Sequence, residues 1–249
     1  MVITRKLICA PHFVGLVKAS LEGALLALRN GSIVLVYDAD GREEETDMAV
    51  ASEFVTFEVV RALRKEAGGL ICTTVPEVAR RRIGLPFVAD VFRDAGENYP
   101  ILKGTVGDDI PYDKTSPFSI TVNHRDTYTG ITDRDRALTI SRFAQLVGEA
   151  SRRENGWAPE AMGRQFRSPG HVPILNAADG LLAHRRGHTE LTTGLVTMAG
   201  LIPSATICEM LGDDGRALSK EDAKEYAQRR NLVFLEGQEI VEAWRAWSE

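Results

Sequence analysis

The chain has 249 residues, 44% of them hydrophobic, and a formal net charge of -5 at pH 7; it is long enough for a substantial core, and its acidic balance speaks against a general nucleic-acid binder, which needs a basic face. No stretch approaches the roughly 20 apolar residues of a spanning helix, so a soluble protein with no membrane partner is expected. Cys9, Cys72 and Cys208 lie far apart in apolar surroundings, which indicates neither a disulfide framework nor a clustered zinc site and suits a reducing cytoplasm.

Leu21, Ala24, Leu25 and Leu28 mark an amphipathic helix from near Ser20 to Asn30-Gly31, where glycine can take the left-handed cap. The all-apolar run Ile33 to Tyr37 reads as a buried strand, and Met48 to Ser52 as a second, short one. Thr56 to Ala67 reads as a helix with Val59, Val60 and Leu63 inward, stopped by Gly68-Gly69, and Leu70 to Thr74 as a strand. Residues 76 to 117 give a short basic helix near Arg80 to Arg82 and then a Gly, Pro and Asp-rich passage read mostly as loop. Phe118, Ile120 and Val122 alternate with polar residues as in a half-buried strand, and Thr132 with Asp135 makes a capping box for a helix burying Ala137, Ile140, Ala144 and Val147. A polar segment, roughly 151 to 168, leads to Ser168-Pro169-Gly170-His171-Val172-Pro173, a rigid turn. A helix from near Thr189 buries Leu191, Leu195, Met198 and Leu201. A strand from Ala205 to Leu211, a helix from Ser219 to Arg230, a strand from Leu232 to Leu235 and a terminal helix complete the chain. No linker or repeat divides it, so residues 1–249 read as one domain. Strands and helices interleave irregularly, which favours an α+β or mixed-sheet α/β layered domain over a repeated βαβ barrel; the expected fold is α+β, a single layered domain with a mixed β-sheet and helices packed around it.

Asp38 to Asp47 delivers carboxylates at the end of a rigid strand, where binding sites commonly sit. Crowded like charges raise one another's pKa unless a cation compensates, and hard oxygen ligands suit Mg2+ or Mn2+. The competing reading is a solvated acidic loop. In Arg185-Arg186-Gly187-His188-Thr189-Glu190, guanidiniums and the free N–H groups of a helix start can bind a phosphate, while His188 can offer a ring nitrogen to a metal; alternatively this is a capped helix behind a basic surface turn. His184 and His188 share the spacing of zinc-hydrolase helices, but Arg185 stands where the general-base glutamate belongs. Glu209 interrupts an apolar strand, which is costly for a charge without a partner or a wet face.

In order and spacing these segments resemble the 3,4-dihydroxy-2-butanone 4-phosphate synthase family of riboflavin biosynthesis. The resemblance runs from about Ser20 to Trp244, through Asp38 to Asp47, Thr129-Gly130-Ile131-Thr132 with Asp135-Arg136-Ala137, Pro169-Gly170-His171-Val172, Arg185 to Glu190, and Cys208-Glu209. Glu44 and Thr46 depart from the common Asn and Gly, and residues 76 to 128 form a longer segment, as in archaeal-type versions. Nothing resembles the cysteine-rich zinc signature of a GTP cyclohydrolase II partner domain, so the monofunctional form is expected. The resemblance implies an α+β homodimer, with sites at the subunit interface, acting on a small sugar phosphate. The implied lyase reaction converts D-ribulose 5-phosphate to L-3,4-dihydroxy-2-butanone 4-phosphate and formate, through a metal-stabilised enediolate and a skeletal rearrangement. Two Mg2+ (or Mn2+) ions per active site are implied. By motif, Glu43 and His188 bind metal and also contact substrate; Arg42 and Asp47 contact the sugar; Arg185, Arg186, Gly187, His188 and Thr189 bind chiefly the phosphate. His171 and Glu209 match the two positions required for catalysis, with Asp47 as a further acid/base group. A metal-dependent hydrolase using His184 and His188, and a non-catalytic sugar-phosphate sensor, are the competing functions.

Overall fold

The computed structural model describes residues 13–107 and 109–248, with side chains from Ser20 onward; Cys9 lies outside the described residues. The first helix, α1 (Phe13–Arg29), begins earlier than its apolar stripe indicates. It ends at Gly31, φ 71, as expected. The apolar run becomes β1 (Val34–Tyr37), buried throughout, and the acidic loop returns the chain as β2 (Thr46–Ala51). Thr56 caps α2 (Phe57–Ala62), accepting the N–H of Val59; a π-helical turn, Leu63–Ala67, extends it to Gly68, φ 92. Next come β3 (Cys72–Val75) and α3 (Glu77–Ile83).

The passage read as loop instead holds α4 (Val88–Ala95) and α5 (Pro100–Gly104). Their Gly and Pro neighbours dominate the local signal, yet Pro100 sits in the first turn, where its missing N–H costs nothing. Next are β4 (Phe118–His124) and α6 (Asp133–Arg152), whose cap is Thr132 accepting from Asp135 N. The polar segment folds as α7 (Ala158–Gln165), with Ala158, Ala161 and Met162 buried at helical spacing. The predicted turn around His171 lies within β5 (Phe166–Asn176). It contains a cis Ser168–Pro169 bond and faces β4 with two register shifts. The chain finishes with α8 (His188–Met198), β6 (Ala205–Glu209), α9 (Lys220–Arg230), β7 (Val233–Glu236) and α10 (Gly237–Ser248).

The strands form one sheet, in the order β4-β5-β3-β6-β2-β1-β7. β1 runs parallel to β7 and β3 to β5, while the other pairs are antiparallel. The result is an α+β fold with a mixed sheet between helices. One apolar cluster joins Leu28, Leu191, Leu195 and Ile240 to the sheet; another joins Val60, Leu63, Ile140 and Ala227 to it. β2 lies between β1 and β6, and its register sets Asp47 opposite both Val36 and Glu209.

Among these apolar residues lies a closed set of hydroxyls. Ser52 Oγ is 3.0 Å from Thr73 Oγ1, 2.9 Å from Thr206 Oγ1 and 3.1 Å from Ser204 Oγ. Thr193 Oγ1 of α8 lies 2.8 Å from Thr74 Oγ1 of β3, which also accepts the N–H of Ala205. Each polar atom thus has a partner, the condition for tolerating it in an apolar interior. The set also ties α8 to the sheet.

Candidate active site

Asp38, just past β1, is a buried carboxylate around which the acidic loop folds. Its Oδ1 accepts Glu45 N at 3.2 Å and its Oδ2 accepts Glu43 N at 3.0 Å and Arg42 Nη1 at 3.0 Å. The Glu43 side chain is thereby aimed inward, and its Oε2 lies 3.1 Å from His188 Nδ1 at the start of α8. His188 Nε2 is 3.2 Å from both Val36 O and Glu45 O. Carbonyls only accept, so Nε2 carries a proton, with Asp47 Oδ1 3.7 Å from it, and Nδ1 is the nitrogen presented to Glu43. Burial works against the charge on Glu43, but His188 and Arg42 outweigh it and pull its carboxyl down to about 2. Burial pushes Asp47 up, with Glu209 and Glu43 adding to it and His188 opposing. His188 is held above the ordinary imidazole range, because Asp47 and Glu43 overcome its burial. Asp47 and His188 share one charge balance, and the direct 3.1 Å contact makes protonated His188 against ionised Glu43 its firmest element.

Asp38, Glu43 and His188 each offer a ligand atom within 4.8 Å of the others. Asp47 Oδ1 beside them is buried without a hydrogen-bond partner. Two carboxylates and one imidazole with its second nitrogen fixed by backbone suit Mg2+ or Mn2+. Such a cation would replace the proton on Nδ1.

Glu43, Asp47 and His188 open on a cavity of about 160 Å³, lined also by Glu45, Cys72, Arg185, Thr189 and Glu209, with residues 110, 112, 113 and 115–118 forming one wall. Glu209 closes β6, and its Oε2 accepts Leu70 N at 2.7 Å. Burial, with Glu209 and Asp47 nearby, raises the Cys72 thiol and keeps it protonated. Arg185 Nη1 lies 2.5 Å from Glu190 Oε2, and Glu190 is itself buried, its Oε1 accepting Ala178 N at 2.9 Å. A Cβ on Gly187 would come within 2.6 Å of both Arg185 Nη1 and Arg42 Nη2, so a side chain there would push both guanidinium ends out of these positions. Arg185 and Thr189 at the N-terminal end of α8 therefore face this space, and Arg42, which lines the neighbouring cavity, meets Arg185 at its edge through Asp113, an arrangement suited to an anion.

Two predicted residues stand apart. Arg186 is exposed and borders a separate cavity with Tyr37, Asp38, Lys220 and Glu236. His171 is also exposed; its Nδ1 lies 3.0 Å from Asn123 Nδ2 and its N–H donates to Asn123 Oδ1 at 2.9 Å. Around that pair, Gly130 N donates to Asp135 Oδ2 at 2.8 Å, and a Cβ on Gly130 would strike the Asn123 amide. The Thr129 to Asp135 and Pro169 to Val172 motifs are thus one built corner. The zinc-hydrolase spacing is overturned, since α8 begins at His188 while His184 Nδ1 sits 2.5 Å from Asp179 O. Asp38 as a third potential ligand, Asp113 and Asn123 were not singled out by sequence reasoning. A buried acid at a strand end marks Asp38; Asp113 stands in an acidic, Pro-rich passage with no periodicity to mark it.

The family model of 3,4-dihydroxy-2-butanone 4-phosphate synthase matches residues 22–243. A protein of that name from Methanothermobacter thermautotrophicus is 48% identical over 225 residues, 90% of this chain and 95% of its own. The solved Candida albicans synthase superposes with a TM-score of 0.66 at 31% identity, over 90% of this chain and 96% of its own. A synthase solved in complex with two magnesium ions gives 0.66 at 26% identity, over 88% and 94%.

Proposed function

The chain belongs to the 3,4-dihydroxy-2-butanone 4-phosphate synthase family, and from that premise we propose that residues 1–249 act as one synthase domain whose active site is the cavity between the acidic loop and the start of α8. The enzyme is a lyase of riboflavin biosynthesis that converts D-ribulose 5-phosphate to L-3,4-dihydroxy-2-butanone 4-phosphate and formate. The observation that carries the site is the 3.1 Å meeting of Glu43 with His188 across 145 positions of chain, beside the paired Asp47 and Glu209.

Glu43 and His188, with Asp38 adjacent, hold two Mg2+ or Mn2+ ions per site in this reading; when bound, the ions supply positive charge against the oxyanion that forms as a carbon beside a ketone loses its proton. Asp47, raised by burial, is suited to keep and return a proton. Glu209, steadied by the Leu70 N–H, is the neighbouring acid/base group. Arg42 and Asp47 orient the sugar, Arg42 from beside Arg185, where it also reaches the phosphate end. Arg185, Gly187 and Thr189 hold the phosphate, remote binding that keeps the reacting carbons in register. The third catalytic position, His171, is exposed on β5. A homodimer with sites at the interface accounts for this, each site receiving His171 of the partner subunit. We place the enzyme in the cytoplasm, a reading compatible with the lack of a helix long and apolar enough to cross a membrane among the described residues.

Incubation with ribulose 5-phosphate and Mg2+ tests the reading: formate accumulates with the native chain, and Glu209→Gln lowers kcat by at least about 100-fold. Release of inorganic phosphate instead would indicate a hydrolase, and binding without turnover a sensor.

A further inference from the structure

Arg42 and Arg185 each have a partner that serves one of them alone. Arg42 Nη1 pairs with Asp38 Oδ2 at 3.0 Å and Arg185 Nη1 with Glu190 Oε2 at 2.5 Å. The side chains of both acids are 0% exposed, and both are tied to backbone N–H groups. Arg42 Nη1 also meets Glu43 Oε1 at 2.7 Å, and the one oxygen that the two guanidiniums share is Asp113 Oδ2, 3.1 Å from Arg42 Nη2 and 2.5 Å from Arg185 Nε. Asp113 is not needed to fix either arginine. It rides on the connection between α5 and β4, where its other oxygen accepts Lys114 N at 2.9 Å and the Tyr112 ring lies 5.4 Å from the Arg42 guanidinium. Two N–H groups aimed at one anionic oxygen, beside the start of an eleven-residue helix, are what a phosphate oxygen would meet. The protein supplies that oxygen itself.

We propose that Asp113 is a specificity-determining residue: its carboxylate occupies the phosphate cradle between Arg42 and Arg185, and substrate must displace it to bind. This rests on the reading of that cradle as the phosphate site. A phosphate dianion brings more charge and more acceptor oxygens than a carboxylate, so it can take both arginines from Asp113. A neutral sugar offers neither and leaves the carboxylate in place. Displacement also frees the stretch around Lys114 from its charged anchor, while Asp38 and Glu190 keep the arginines aimed at the ligand.

Calorimetric titration of the full chain with inorganic phosphate, in Mg2+, tests this. Asp113→Asn keeps the shape and removes the competing charge; it is expected to bind phosphate at least about fivefold tighter, because the competent cradle no longer has to be vacated. In the native protein, phosphate should speed tryptic cleavage after Lys114. Arg185→Lys serves as the control. If that control loses phosphate while Asp113→Asn binds no tighter than native, the competitor role is overturned and the phosphate reading stands. Phosphate binding that is indifferent to Arg185, or absent from both the native and the Asp113→Asn protein, overturns the cradle and the competitor role together. Slower cleavage at Lys114 in the presence of phosphate also contradicts displacement.

Discussion

Glu44, in the acidic loop, adopts φ 58, a left-handed conformation that costs a residue with an ordinary side chain about 1–2 kcal/mol and that asparagine tolerates better. Its carboxylate accepts the N–H of Gly41 at 2.8 Å in an exposed position, which offsets only part of that cost. Glu44→Asn should therefore stabilise the fold by about 1 kcal/mol and raise the thermal midpoint by about 2–4 °C, measured by calorimetry; a fall would show that the Gly41 bond outweighs the backbone strain. At this scale the sequence was informative where chemistry is carried by residue type. Carboxylates and an imidazole in two separate segments announce a cation site, and Glu43 does reach His188. It was uninformative where direction decides. Arg185 and Arg186 are adjacent and chemically alike, yet only the first lines the cavity, because the backbone just before α8 turns successive side chains to different sides. Asp113 gains meaning solely from arginines 71 and 72 positions away.

The elements with a single dominant signal were legible: the uninterrupted apolar run of β1, the Thr132 cap, whose hydroxyl accepts the N–H of Asp135, and the helix start at Ser219. Short helices were not. α4 and α7 are eight residues long and α5 only five, too short for a clear apolar stripe, and prolines in the first turns of α5 and α7 imitate loop punctuation. β5 was misread for the opposite reason: Pro169 and Gly170 look like a turn, but they lie in an extended strand whose neighbour is unusually close. A Cβ on Gly170 would overlap the Val122 carbonyl carbon of β4, backbone that cannot yield without separating the two strands. Gly170→Ala should accordingly cost about 1–3 kcal/mol or more, read as a lowered midpoint in urea. It should also disturb the Asn123 contacts that orient His171. A neutral effect on stability would contradict so tight an approach.

In the whole molecule, the mixed sheet draws its site from four segments, the acidic loop, β2, β6 and the start of α8, while His171 sits with exposed Tyr128 and Ile131 near β4. A shared-site homodimer predicts complementation. His171→Ala and Glu209→Gln, each inactive alone, should regain about a quarter of native formate release when unfolded together and refolded at equal amounts, since half of the dimers are then mixed and each mixed dimer has one intact site. Continued inactivity of the mixture would mean that both residues serve the same chain's site. The buried hydroxyls of Ser52, Thr73, Thr74, Thr193, Ser204 and Thr206 add a constraint on how such a protein can change over generations. Removing any one of them strands the atoms it served, and the stranded atoms cost more than the lost bond. Viable relatives should keep these positions as a block or exchange them for apolar residues in concert, so drift there proceeds by joint replacement rather than one site at a time.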